Sequence, residues 1–203
     1  AVKHCAAGKF RNAGQVCISP TRFFIEEPVY DEFIKSFKSH VEAINVGDGL
    51  DSKSTMGPLV ADRRLEVMED FISDAISSGG EVISGGGRGQ SPGSFFEPTL
   101  IRDVPDTAKI MIEEPFGPVA PSASFSSIDE IIERANSLPF GLASYAFTSN
   151  PRTSQILKSE IESGMLAINS MHIHSVETPF GGLKHSGYGC LLYTSDAADD
   201  EER

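Results

Sequence analysis

The stretch TRFFIEE (21–27) running directly into PVYDEFIKSFKSHVEAI (28–44) constrains the fold more than any other feature of the sequence. The first seven residues are β-prone. In the second stretch Val29, Phe33, Phe37, Val41 and Ile44 recur every three or four residues, the spacing of one helix face, and Pro28 suits a first helical position. Strand then amphipathic helix is the result, and the pattern returns. A helix fits 62–78 with Leu65, Met68, Ile72 and Ile76 on one side and Gly79 placed to end it, followed by EVIS (81–84) as a strand. Ser127 and Glu130 have capping-box spacing ahead of Ile131, Ile132 and Ala135. Asn150 with Pro151 caps a helix carrying Ile156, Leu157 and Ile161, flanked by the strands LASYAFT and GMLAIN. Strands alternating with helices predict an α/β fold, a largely parallel sheet flanked by helices.

The chain has 203 residues and 39% hydrophobic content, enough to bury a core. Its formal net charge of −12 does not suit nucleic acid or an anionic membrane surface as a partner. No apolar run approaches the roughly 18 residues of a membrane span, and the start lacks the basic-then-apolar order of a signal peptide. Cys5, Cys17 and Cys190 are widely separated, with no CxxC spacing, so neither a disulfide framework nor a zinc knuckle is indicated, and a reducing compartment is expected. The opening AVKHCAAGKF has no initiator Met and is already helix-like, as in a fragment. The tail 190–203 holds five acidic residues and no sustained period, and is expected to be unfolded.

Glycine-rich patches occupy 84–94, 113–118 and 179–189. The first lacks both a phosphate-loop ending and a Rossmann context and reads as a surface turn. In the other two, Phe beside Gly and Pro can shape a pocket wall. Cys17 follows a polar run, KFRNAGQ, that makes a poor core segment and a good loop, where a thiol would be reachable. Its reactivity would need a lowered pKa, whereas Cys5, on the helix-like VKHCAAGKF, reads as a small buried hydrophobe. His4, His40, His172, His174 and His185 are candidate bases for a Cys/His hydrolase, each equally readable as a surface or core histidine. His172 and His174 share a face but have no third ligand beside them, so no metal site is expected.

Three motifs together resemble the NAD(P)-dependent aldehyde dehydrogenases. FRNAGQVC (10–17) is similar to the nucleophile segment, EEPFGP (113–118) to the nicotinamide-ribose segment and TPFGGLKHSGYG (178–189) to the late glycine-rich segment. GDGLDSKSTMGPL and FFEPTL, between them, match as well. The resemblance covers 1–189 as a catalytic domain and leaves 190–203 as a non-family tail. It implies that Cys17 attacks the aldehyde, that the Cys17 N–H helps hold the oxyanion, and that a glutamate-activated water hydrolyses the thioester. NAD or NADP is the implied cofactor, with Glu114 at the nicotinamide ribose and Phe116 against that end of the molecule. Asn169 and Lys184 match positions read as mainly structural.

The resemblance is nearest to succinate-semialdehyde dehydrogenases. It implies that Arg11 grips the far carboxylate of the substrate, with Phe180 at the substrate tunnel. The family's carboxylate-contacting serine aligns with His174, so Ser175 beside it takes that role, a departure that leaves a related semialdehyde open. Ser19 stands where some members carry a second cysteine, which removes a local disulfide switch. The general-base glutamate, the oxyanion asparagine and the nucleotide-binding half would precede Ala1, so this chain is expected to have little turnover by itself. The implied parent is a homodimer or homotetramer in the cytoplasm, or in the mitochondrion if a transit peptide precedes it. The rival readings are a non-catalytic fragment and a cysteine-dependent hydrolase or acyltransferase.

Overall fold

Helix α1 (Val2–Phe10) turns Cys5, Ala6, Lys9 and Phe10 inward and runs into the loop that carries Cys17. The structure, a computed structural model, describes residues 1–175 and 178–189. After the loop come β1 (Phe23–Glu26), α2 (Tyr30–Glu42), α3 (Arg63–Ser77), β2 (Glu81–Ser84), β3 (Thr99–Arg102), the short α4 (Lys109–Ile112) and β4 (Val119–Phe125). These lie in a first compact unit, Ala1–Ile131. Helix α5 (Ile128–Asn136) leads into a second, which holds β5 (Phe140–Gly141), β6 (Ala143–Ala146), α6 (Pro151–Glu160), β7 (Met165–Ile168) and β8 (Leu183–Lys184).

The sheet of the first unit has the order β1-β4-β3-β2. Strand β4 pairs in parallel with β1 on one side and β3 on the other, while β2 joins β3 antiparallel. The parallel pair β1 and β4 places the segments that precede them at the same end of the sheet. One is the Cys17 loop, the other the 113–118 turn.

Helix α2 follows a three-residue 3-10 turn, Glu27–Val29, so its inward face is rotated from the one the spacing suggests. Tyr30, Ile34, Phe37 and Val41 are buried, whereas Val29 is 48% exposed. Phe37 is the hub, edge-on to Phe10, Phe23 and Phe33 with ring centroids 6.3, 5.2 and 5.6 Å away, which joins α1, β1 and α2. Tyr30 fixes the start of the helix: its hydroxyl accepts from Asp103 N at 2.9 Å and lies 3.4 Å from Ser122 Oγ. In α3 the buried set is Leu65, Met68, Phe71, Ile72 and Ala75, and Ile76 is 52% exposed. Gly79, at φ 110, ends it, and Gly80 N bonds Ala75 O at 2.8 Å.

The second unit is a strand–helix–strand pair, β6 parallel to β7 with α6 between them in sequence, beside the antiparallel pair β5 and β8. Asn150 caps α6 by accepting from Arg152 N at 2.9 Å. The capping-box spacing forms with one change of partner. Ser127 Oγ accepts from Glu130 N at 3.2 Å, but the Glu130 carboxylate returns to Ser126 N at 2.9 Å. Asn169 grips both the N–H and the carbonyl of Thr148, and Lys184 Nζ donates to Asn136 O and Leu138 O. The glycine-rich 84–94 stretch is a loop pinned by the Arg88–Glu69 ion pair. The 190–203 tail lies outside the described residues.

Truncating the hub removes three ring contacts at once, so Phe37→Ala is expected to lower the unfolding free energy by about 3–5 kcal/mol. Urea denaturation of the chain checks this; a loss below about 1 kcal/mol would show that the site collapses around the cavity.

Candidate active site

After Phe10 the chain leaves the helix through Arg11 and then three consecutive residues at positive φ, Asn12 (52°), Ala13 (53°) and Gly14 (71°). Two non-glycine residues in that region are costly unless their surroundings impose it. Gln15 supplies much of the constraint. Its Nε2 donates to Asn12 O at 3.1 Å and Pro58 O at 3.3 Å, and its Oε1 accepts from Val60 N at 2.9 Å. Asn12 Nδ2 closes the loop on Gln15 O at 3.1 Å.

Gly14 ends a 3-10 turn, Arg11–Gly14, in close contact with the opposing turn. A Cβ there would lie 2.2 Å from Gly117 O, so the nucleophile loop and the 113–118 turn meet backbone to backbone. Gly117 is equally confined, since a Cβ on it would lie 2.2 Å from the sulfur of Met68. No side chain larger than hydrogen fits either place without movement.

Cys17 lies in the turn that follows, closed by Ser19 N on Val16 O at 2.9 Å. Its side chain is exposed, and its N–H has no hydrogen-bond partner among the described residues. A reachable thiol beside a spare backbone N–H suits attack on a carbonyl carbon with stabilisation of the oxygen. Ser19 is buried, its Oγ donating to Lys9 O at 3.2 Å. Cys5 is buried too, and burial pushes its thiol up to about 11, which leaves it inert at neutral pH.

Within the 113–118 turn Pro115 is buried while Glu114 and Phe116 are exposed, Phe116 by 38% and at φ 42. A carboxylate and an aromatic face two residues apart fit a ribose and the planar ring attached to it. Arg64, from α3, donates to the carbonyls of Pro115 and Phe116.

The structure brings Arg11, Cys17, Glu114 and Phe116 into the first unit, where Arg11 is exposed where α1 ends. Ser175 and Phe180 belong to the second. Ser175 is exposed, and its N–H donates to Thr178 Oγ1 at 3.0 Å. Phe180 is buried, edge-on to the His174 ring at 6.0 Å. Of the candidate bases, His40 turns Nδ1 to Ser36 O at 3.0 Å on its own helix. No group of three or more metal-ligating side chains occurs among the described residues. No described helix is long and apolar enough to cross a membrane.

Lys9 is the site residue that motif reading passes over. It is 1% exposed. Burial lowers its pKa to about 7, with the charge of Glu114 acting in the opposite direction. A signal existed in the sequence: Cys5, Ala6, Lys9 and Phe10 lie on one face of α1, so the stripe that faces the core includes the lysine.

The sequence profile of the Aldehyde dehydrogenase family matches residues 1–199. The chain belongs to the aldehyde dehydrogenase family. It is 41% identical over 181 residues to a putative 4-(hydroxymethyl)benzenesulfonate dehydrogenase of Comamonas testosteroni, an alignment covering 89% of this chain and 38% of the relative. It is 42% identical over 189 residues to a probable NADP+ succinate-semialdehyde dehydrogenase of Sinorhizobium fredii, covering 93% of this chain and 38% of that one. The crystal structure of succinate-semialdehyde dehydrogenase from Burkholderia pseudomallei superposes with a TM-score of 0.91 at 37% identity, covering 93% of this chain and 39% of that one. The chain thus spans well under half the length of these aldehyde dehydrogenases, and its mainly parallel α/β fold is theirs.

Lys9 gives this family member a pH signature. With a folded pKa near 7 against 10.5 unfolded, the lysine costs stability in full below about pH 7, less as pH rises, and nothing above the unfolded value. Lys9→Met is therefore expected to be more stable than wild type at pH 6, with the difference closing towards pH 10. Urea titrations at both values measure it, and a difference independent of pH would contradict the burial of a titrating amine.

Proposed function

We propose that the protein carrying this chain oxidises an aldehyde with a remote anionic group, succinate semialdehyde or a related semialdehyde, to the acid with NAD or NADP. The observation that carries the reading is the Gly14–Gly117 contact, which sets the exposed Cys17 turn and the exposed Glu114–Phe116 pair against each other. Cys17 acts as nucleophile. Its thiol gives up its proton to solvent, the thiolate sulfur forms the bond to the carbonyl carbon, the carbonyl π pair moves to oxygen, and the Cys17 N–H meets the resulting oxyanion. Nicotinamide supplies a two-electron hydride acceptor, and Glu114 and Phe116 are the residues of this chain suited to hold its ribose and ring. Loss of the hydride leaves a thioester on Cys17. Water adds to that thioester, the C–S bond breaks, and the acid leaves as the thiol regains its proton.

Arg11 is the substrate-binding residue that this chain offers for the far anion, since an exposed guanidinium can take two oxygens at once. The relatives' names fit an anion-bearing substrate, one carrying a sulfonate and another a carboxylate. In the second unit, Ser175 is proposed as a polar substrate-binding residue and Phe180 as an apolar one.

The test is aldehyde-dependent reduction of NAD and NADP by the full-length enzyme, with succinate semialdehyde compared with an uncharged aldehyde. Cys17→Ala is expected to lose about three orders of magnitude or more in kcat. Arg11→Gln is expected to lower kcat/KM for the carboxylated substrate about 10–100-fold, as for a lost charged hydrogen bond, and to leave the uncharged aldehyde unaffected. Full activity in Cys17→Ala would sink the mechanism, and equal use of both aldehydes by wild type would remove the semialdehyde assignment.

A further inference from the structure

The turn that presents Glu114 and Phe116 is gripped by a residue from another element. Arg64 Nη2 donates to Pro115 O and lies 3.4 Å from Phe116 O. Phe116 is at φ 42, a conformation that side-chain-bearing residues seldom hold without outside support. Arg64 is the second residue of α3, where a positive charge opposes the positive end of the helix dipole. Helix stability therefore gives no reason for a cation there, and the two carbonyls do. One turn further along α3, Met68 is fully buried with its sulfur against Gly117. The helix thus holds the turn at two points, by contact at Gly117 and by charge at 115 and 116.

We infer that Arg64 is a positioning residue for nucleotide binding, its guanidinium fixing the Pro115 and Phe116 carbonyls so that Glu114 and Phe116 meet the nicotinamide end of NAD(P). This rests on the proposed aldehyde dehydrogenase site. Both carbonyls are met by one nitrogen, Nη2, whose N–H bonds are fixed in the guanidinium plane, whereas the ammonium of a lysine is a freely rotating point charge.

Arg64→Ala, Arg64→Gln and Arg64→Lys in the full-length enzyme test the assignment. The KM for nucleotide is expected to rise about tenfold in the first two variants and less in the third, while the KM for aldehyde stays within about twofold. Alkylation of Cys17 by iodoacetamide without nucleotide should proceed at the wild-type rate, and added guanidine should restore Arg64→Ala in part. In amide exchange on the chain itself, 113–118 should lose protection while 10–19 keep theirs. An unchanged nucleotide KM would overturn the inference, as would slower Cys17 alkylation matching the kinetic loss or the absence of guanidine rescue. If Arg64→Ala does not fold, Arg64→Lys carries the same comparison. Wild-type enzyme without Cys17-dependent turnover would instead defeat the functional reading. NADPH binding followed by fluorescence would then still decide Arg64, weaker binding in the variant supporting it and equal binding overturning it.

Discussion

The approach of Gly14 to Gly117 is the constraint on which the rest of the site depends. Neither the Cys17 loop nor the 113–118 turn is regular structure, so no ladder of hydrogen bonds sets the distance between them. Repulsion does so instead: the place a Cβ would take on Gly14 is 2.2 Å from a carbonyl oxygen of the opposing turn and 3.2 Å from Lys9 O. The parallel pairing of β1 with β4 delivers both segments to one end of the sheet, and the glycine contact determines how close they come. Gln15 then converts this proximity into a fixed shape by binding Pro58 O and Val60 N.

The same crowding surrounds the main chain of the buried Lys9, whose carbonyl accepts from Ser19 and lies beside Gly14. A methionine would fill similar space without the desolvation of an amine. The opposing effect of Glu114 offsets only part of that desolvation, as the lowered pKa shows. The interior below the site is thus less stable than an all-apolar one, in keeping with stability being given up where a constellation of functional groups is assembled.

The elements legible in the sequence are those whose apolar spacing or β-prone composition is bounded by Pro, Gly or another turn or capping residue. Helices α2, α3 and α6 and strands β1, β2, β6 and β7 are of this kind. The inward face of α2 shifts because the 3-10 turn at Glu27–Val29 takes up the residues that would otherwise begin the helix. Strand β4 is harder to read: VAPSASF is small, polar and contains Pro121, which cannot donate to a ladder, yet it is an inner strand, bonded to β1 on one side and β3 on the other. What qualifies it is its neighbours, with Ser122 Oγ donating to Ile101 O at 2.9 Å. The site divides along the same line. Cys17, Glu114 and Phe116 stand in motifs, whereas Lys9 is marked only by its place on the inward stripe of α1, and Arg64 acts through carbonyl contacts. The arginine pair at 63–64 offers one hint, a cationic start to a helix against its dipole.

The order in which the polypeptide is made adds a consequence of the β1–β4 pairing. The nucleophile loop leaves the ribosome before its partner turn and β4, which follow about 100 residues later, on the order of 5–20 s at usual rates of synthesis. Throughout that interval the thiol exists without the Gly14–Gly117 contact, and β1 still lacks its neighbour β4. Assembly of the site therefore waits for β4, and until it arrives β1 presents an unpaired edge.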